Sequence, residues 1–148
     1  MQFRLNFRYN LLMSEKTIFE KVISGELPHY KVYEDQDTYA FLDNFPSAYG
    51  HTLVIPKNPY KDIYEIPNEI AGKIFQAVQK ISVAVKKTVE AEGVNILMNN
   101  EPAAGQVVFH AHIHIIPRFE NDGGYQGKRL TYPEGKAQEI ADKIIANL

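Results

Sequence analysis

The chain has 148 residues and a mass of 16.9 kDa, the size of one domain, and a chain this long buries about 70% of the surface its unfolded form exposes. Sixteen basic against eighteen acidic residues leave a net charge of −2, which argues against a nucleic-acid coat or a polybasic membrane binder. No cysteine is present, so thiol catalysis, disulfides and cysteine zinc sites are excluded and a reducing, cytoplasmic setting is expected; no apolar run approaches the roughly 20 residues of a membrane span.

Residues 1–13 carry Arg4 and Arg8 and no acid, and they read as an extension outside the fold. Residues 14–148 read as a single domain. Thr17 to Ile23 is a short helix, with Thr17 and Glu20 spaced as a capping box and Ile18, Phe19, Val22 and Ile23 as its apolar face. Tyr30 to Tyr33 and Thr38 to Leu42 read as strands joined by the acidic turn Glu34–Asp37. His51 to Pro56 is a third strand. Asn68 is placed to cap a long helix running to about Glu92, with Ile70, Ile74, Val78, Ile81, Val85 and Val89 in one stripe and Gly93 as its stop. Val94 to Met98 and Val107 to Ile116 read as two further strands, with the small-residue loop Asn99–Gln106 between them. A last helix begins near Gly135, with Ala137, Ile140, Ala141, Ile144 and Leu148 on one face. Strands this close in sequence around one long helix predict an α+β fold with a mainly antiparallel sheet.

Three of the five histidines fall in His110-Ala111-His112-Ile113-His114. In a strand, alternate side chains share a face, so all three imidazoles are expected on one face and Phe109, Ala111, Ile113 and Ile115 on a buried one. A row of imidazoles on a strand built for burial is costly without partners. Imidazole is a nucleophile and a leaving group at phosphorus and titrates near neutrality; neighbouring imidazoles also bind zinc or copper. Spacing does not separate these uses. The preceding Ala103, Ala104 and Gly105 let backbone N–H groups approach an anion, and Asn99 and Gln106 can add side-chain hydrogen bonds.

The stretch Asn99–Arg118, NNEPAAGQVVFHAHIHIIPR, resembles the signature of the histidine triad (HIT) family. So do Ile18-Phe19 with Gly25-Glu26-Leu27-Pro28, Ala40-Phe41-Leu42-Asp43, and Gly50-His51 to Lys57, in the family's order. The similarity is greatest to the Hint-like, nucleoside-phosphoramidase-like branch. The resemblance implies a HIT-like fold: a five-stranded, mainly antiparallel sheet, one long helix, a short N-terminal helix and a C-terminal helix. It implies His112 as the nucleophile at the α-phosphorus of a purine nucleotide, forming a nucleotidyl-histidine that water resolves. His114 matches the histidine beside the phosphate and leaving group, and His110 and His51 match a supporting pair. Asn99, Gly105, Gln106 and Val107 match the phosphate cradle; Asp43, with Asn44, matches the ribose side; Phe19 and Phe41 match the base walls. The implied activity is hydrolysis of a nucleoside phosphoramidate, the alternatives being diadenosine polyphosphate hydrolysis or a non-catalytic nucleotide-binding regulatory module. A homodimer is implied as well, with no cofactor and no nucleic-acid or membrane partner.

The chain departs from the pattern in three places. Many bacterial relatives bind zinc through a Cys-x-x-Cys pair and two histidines; here those cysteine positions hold Thr17 and Glu20, so no metal is expected. Thr17 and Glu20 are instead expected to start the helix, and His51 and His110 to hydrogen-bond to each other or to backbone. Glu101 stands where glycine is usual, and Val107 where a hydroxyl residue is common. At the third triad position, His114 rather than glutamine favours hydrolysis over nucleotidyl transfer, because an imidazolium can protonate a leaving group.

Overall fold

The computed structural model describes residues 15–124 and 129–148; the expected extension over residues 1–13 lies outside them. Helix α1 is Ile18–Ile23. Its start is the predicted capping box: Thr17 Oγ1 accepts the Glu20 N–H at 3.1 Å and the Glu20 carboxylate accepts the Thr17 N–H at 2.7 Å. Phe19 and Val22 are buried, whereas Ile18 faces solvent. Strands β1 (Lys31–Glu34) and β2 (Thr38–Leu42) form a hairpin. Asp35 Oδ1 accepts the N–H groups of Asp37 and Thr38 and so shapes its turn. Strand β3 is Thr52–Pro56, helix α2 is Asn68–Thr88 and strand β4 is Gly93–Leu97. A 3₁₀ turn at Pro102–Ala104 precedes strand β5 (Ile113–Arg118), and helix α3 is Lys136–Ala146.

The five strands make one antiparallel sheet in the order β1-β2-β3-β5-β4, the expected α+β architecture. Every residue of β2 and β3 is buried, because both faces of the sheet are covered. On one face, Val32, Ala40, Leu42, Val54, Ile113 and Ile115 pack against the stripe of α2 (Ile74, Val78, Ile81, Val85) and against Ala137, Ile140, Ala141 and Ile144 of α3. On the other, Tyr39, Phe41, Leu53 and Ile55 pack with Phe19 and Val22 of α1. The histidines lie on this second, α1-covered side.

Two elements differ from the sequence reading by more than two residues at one end. Helix α2 is capped by Pro67 rather than Asn68, and it ends at Thr88, five residues before Gly93. Glu90 takes the left-handed turn (φ 53°), the Ala91 N–H returns to Lys86 O, and the Glu92 N–H already reaches across to Arg118 O. Recruitment of Glu92 into the sheet stops the helix early. Regular strand β5 begins at Ile113 rather than Val107. Upstream of it the Ala111 N–H donates to Tyr60 O, a loop carbonyl, so a loop rather than a strand lies alongside. Phe109, expected in the core, is 45% exposed; Ala111, Ile113 and Ile115 are buried as expected.

Candidate active site

Although His110 and His112 precede the regular strand, the alternation of faces continues through them. The His112 and His114 rings lie 5.0 Å apart, and Phe19 packs edge-on against both His110 (5.7 Å) and His112 (5.1 Å). The ring of His51, at the start of β3, lies 5.1 Å from that of His114. Four imidazoles thus form one connected group on the α1 side of the sheet.

The hydrogen bonds fix the tautomers. The His112 Nδ1–H donates to the carbonyl of His110 at 2.7 Å, which leaves the Nε2 lone pair free; Nε2 makes no hydrogen bond among the described residues. The Ser47 N–H donates to His51 Nδ1 at 3.1 Å, so the His51 proton sits on Nε2 and is donated to His114 Nδ1 at 2.9 Å. The proton of neutral His114 therefore sits on Nε2. The His110 Nε2–H donates to Pro56 O at 2.7 Å, and Nδ1 accepts from the Thr17 hydroxyl at 2.9 Å. His51 and His110 each reach backbone, as expected, but their side-chain partners are His114 and Thr17 rather than each other.

Burial depresses all four basicities. His51, His110 and His112 lie below the ordinary imidazole value, chiefly from desolvation, with Asp43 opposing this at His51 and His112. His114 is pushed down to about 3 by burial and then by His112 and His51. The free site therefore carries no imidazolium at pH 7. In the free site His114 is thus a neutral imidazole that donates through Nε2–H.

The Asn99–Gln106 loop is braced from within. The Gln106 side chain is buried; its Nε2 donates to Lys61 O and Val108 O, and its Oε1 accepts the Glu101 N–H. The Gln106 and Gly105 N–H groups return to Glu101 O and Pro102 O. Gln106 is thus a strut of the loop, not a donor to its mouth, and Gly105 supplies a left-handed turn (φ 88°). The Asn99 side chain and the Val107 N–H make no hydrogen bond among the described residues, and the Val107 side chain is 81% exposed. Glu101 keeps the path glycine would take: its φ of 71° and ψ of 157° fall in a region essentially reserved for glycine, at a cost of about 1–3 kcal/mol. Glu101→Gly is expected to relieve that strain. After the entropy a glycine adds to the unfolded chain, a net gain of about 1 kcal/mol remains, read as a rise of about 2–4 °C in Tm. An unchanged or lowered Tm would show the loop unstrained.

Asp43 follows β2. Its Oδ2 lies 3.8 Å from His51 Nε2, and its Oδ1 accepts the Phe45 N–H. Asn44 beside it is exposed. Phe19 and Phe41 meet edge to face at 5.5 Å and are buried in the second core cluster. The fifth histidine, His29, stands outside the group, donating from Nδ1 to Leu27 O and accepting the Tyr39 hydroxyl on Nε2.

Two sets of residues stand where a metal could be held, and neither fits one. At the family's zinc position, Thr17 offers a hydroxyl already bonded to His110, and both His110 nitrogens are engaged. Asp43, His51 and His114 bring three ligand atoms within 4.8 Å of one another. However, the Ser47 N–H on Nδ1 obliges His51 to keep its proton on Nε2, the atom that would have to bind the metal. Sequence reasoning missed the Thr17–His110 bond and, while expecting backbone partners for His51 and His110, could not name the Ser47 N–H and the Pro56 carbonyl. Each partner is distant in sequence or belongs to the backbone, so only the capping box at Thr17 left a local signal.

Comparison with known proteins gives a consistent set of relatives. The HIT domain model matches residues 24–121. The chain is 42% identical over 135 residues to the protein hit of Bacillus subtilis, covering 91% of this chain and 93% of that one. It is 39% identical over 129 residues to an adenylylsulfatase of Arabidopsis thaliana (87% and 66% covered), and 40% identical over 111 residues to an adenosine 5′-monophosphoramidase of Candida albicans (72% and 73% covered). A crystal structure of a Hit-like protein from Bartonella henselae superposes with a TM-score of 0.80 at 42% identity, covering 90% of this chain and 97% of that one.

Proposed function

The chain belongs to the histidine triad (HIT) family, and on that footing we propose that it is a nucleotide hydrolase of the phosphoramidase type, acting at the α-phosphate of a purine nucleotide. One observation carries the reading: the Nδ1–H of His112 is tied to a backbone carbonyl, which leaves the Nε2 lone pair without a hydrogen bond among the described residues, beside a second imidazole. Relatives of the chain include an adenylylsulfatase and an adenosine 5′-monophosphoramidase.

In this mechanism His112 Nε2 attacks the α-phosphorus and the P–N or P–O bond to the leaving group breaks. The Nδ1–H stays on the His110 carbonyl, so the nucleotidyl-histidine is a cation and a good leaving group in turn. Water then attacks the phosphorus, the P–N bond to His112 breaks, and the water proton is released. The Val107 N–H and the Asn99 amide hold phosphate oxygens, while Gly105 shapes the cradle they stand on. His114 Nε2–H hydrogen-bonds the leaving group, which departs protonated; that proton comes from solvent and is matched by the one water releases in the second step. Asp43 accepts the ribose hydroxyls with Asn44 at its side, and Phe19 and Phe41 wall the base. His110 and His51 orient the two working imidazoles. The setting is cytoplasmic; no helix among the described residues is long and apolar enough to cross a membrane.

The test is turnover with adenosine 5′-phosphoramidate and with diadenosine tetraphosphate. AMP is expected from the phosphoramidate with a kcat/KM at least tenfold higher. The reverse ratio would make the protein a polyphosphate hydrolase, and nucleotide binding without turnover would make it a regulatory module; either result overturns the proposal.

We further infer a homodimer. Among the described residues strand β4 is a sheet edge with unpaired backbone groups, and Ile96 on it and Phe75 and Val83 on the outer side of α2 are exposed. Light scattering at micromolar concentration is expected to give twice the chain mass. A monomer mass would refute the inference.

A further inference from the structure

The loop joining β2 to β3, residues 43–51, carries much of the chemistry just described, and it is held from an unexpected quarter. It contributes Asp43, the Ser47 N–H that fixes the His51 tautomer, and His51 itself. Internally it is closed by Asp43 N–H to His51 O, His51 N–H to Ala48 O and Phe45 N–H to Asp43 Oδ1. Three further hydrogen bonds tie it to residues 130–132, some eighty positions along the chain. The Leu130 N–H donates to Pro46 O at 2.8 Å, the Tyr49 hydroxyl to Thr131 O at 3.3 Å, and the Gly50 N–H to the Tyr132 hydroxyl oxygen at 3.2 Å. The rings of Tyr49 and Tyr132 stack at 5.2 Å and 28°.

The anchor is rigid at both ends. Tyr132 leads through Pro133 into α3, whose Ala137, Ile140, Ala141 and Ile144 are buried in the main core. Gly50 has no slack either: its φ is 94°, and a Cβ there would meet Val89 Cγ1 at 3.0 Å. The Tyr132 hydroxyl therefore ends a stiff arm on a stiff point, immediately before the catalytic-group histidine.

We infer that Tyr132 is a positioning residue for the hydrolysis: by holding the Gly50 N–H it sets the loop at the height where the Ser47 N–H meets His51 Nδ1, and so keeps the His51 proton on Nε2 facing His114. Were the loop to relax by half an ångström or so, the 3.1 Å bond from Ser47 would weaken. His51 could then take its proton on Nδ1 instead. It would no longer donate to His114, and the donor on His114 Nε2 would lose its definition. Burial already raises the Tyr132 hydroxyl to about 12, so it remains a neutral phenol over the working range. This role also gives the C-terminal helix a function beyond packing: it fixes the base of the arm.

The inference rests on the proposed mechanism, but its first readout needs no substrate. In Tyr132→Phe the ring and its stack remain and only the hydroxyl is lost. Long-range ¹H–¹⁵N spectra of the imidazoles in the wild type are expected to show His51 and His114 each protonated at Nε2. In Tyr132→Phe the His51 signals are expected to move toward a mixture of tautomers, and kcat to fall at least tenfold with KM for the nucleotide changed less than threefold. A wild-type tautomer pattern in this variant, whatever its Tm, would show that Tyr132 only stabilises the fold and would overturn the inference. Should Tyr132→Phe be unfolded at room temperature, the same spectra are recorded in the cold with a stabilising osmolyte, with the same two outcomes. Failure of the wild type to hydrolyse phosphoramidates would count against the proposed function and leave the tautomer comparison to decide this one.

Discussion

His112→Ala is expected to lower turnover of adenosine 5′-phosphoramidate by at least about a thousandfold while leaving AMP affinity within about tenfold, or ~1.4 kcal/mol. Of the four imidazoles, His112 alone has its Nδ1–H on a carbonyl within the row, with its other nitrogen without a hydrogen bond among the described residues. The covalent bond it forms exists only along the reaction, so its loss falls on kcat and barely on binding. His112 is also buried against Phe19, so the variant's fold is checked by its thermal transition before its kinetics are compared. Stoichiometric labelling of the wild type with a slowly hydrolysed nucleotide, absent in the variant, would identify the intermediate. Turnover retained within a few-fold would remove the nucleophile and, with it, the mechanism.

The second large effect is an early loss of stability in acid. Each of the four clustered histidines has its basicity lowered in the folded protein, principally by burial. Above the unfolded value of about 6.5, folded and unfolded chains are both neutral there and the groups contribute nothing to the pH dependence. Below it the unfolded chain binds protons that the folded chain refuses, so stability falls as pH falls. His114, held down to about 3, continues to refuse its proton through the whole range from 6 to 4, which alone costs about 1 kcal/mol per pH unit. The carboxylates with lowered basicity, such as Asp122 beside Arg118, act in the same direction but only near and below pH 4. Urea denaturation at pH 7, 6 and 5 is therefore expected to show a midpoint dropping steadily from pH 6 downward. A midpoint that is flat to pH 5 would mean that the imidazoles titrate freely and are not desolvated.

Much of this architecture is written locally, and the exceptions share a cause. The capping box at Thr17 and Glu20 and the α2 stripe depend on neighbours three and four residues away, and both are found where their spacing puts them. The row His110–His112–His114 was legible because alternation survives even where the backbone ceases to be a regular strand. What the sequence could not carry was the identity of distant partners. The α2 terminus is set by Arg118 drawing in Glu92, not by Gly93; the start of β5 is set by Tyr60 occupying the Ala111 N–H, not by the run of β-formers from Val107. Gln106 read as a phosphate donor on type and position, yet Lys61 and Val108 claim its amide. The depressed basicity of His114 is only partly local: burial is its largest cause, and of the two imidazoles that add to it His112 stands two residues away while His51 comes from the segment before β3.

The bond between Thr17 and His110 spans 93 positions, that between His51 and His114 spans 63, and that between Gly50 and Tyr132 spans 82. A site tied together by such long loops has no existence in any fragment of the chain. His51 and the triad lie upstream of Tyr132 and α3, so an unfolded chain carries the chemical groups of the site without their arrangement. Loops of this length close late, because their entropy must be met before the contacts return anything. On the proposed mechanism, turnover requires the Tyr132 segment and α3 to have docked, and its recovery on refolding should lag the formation of the α2 helix.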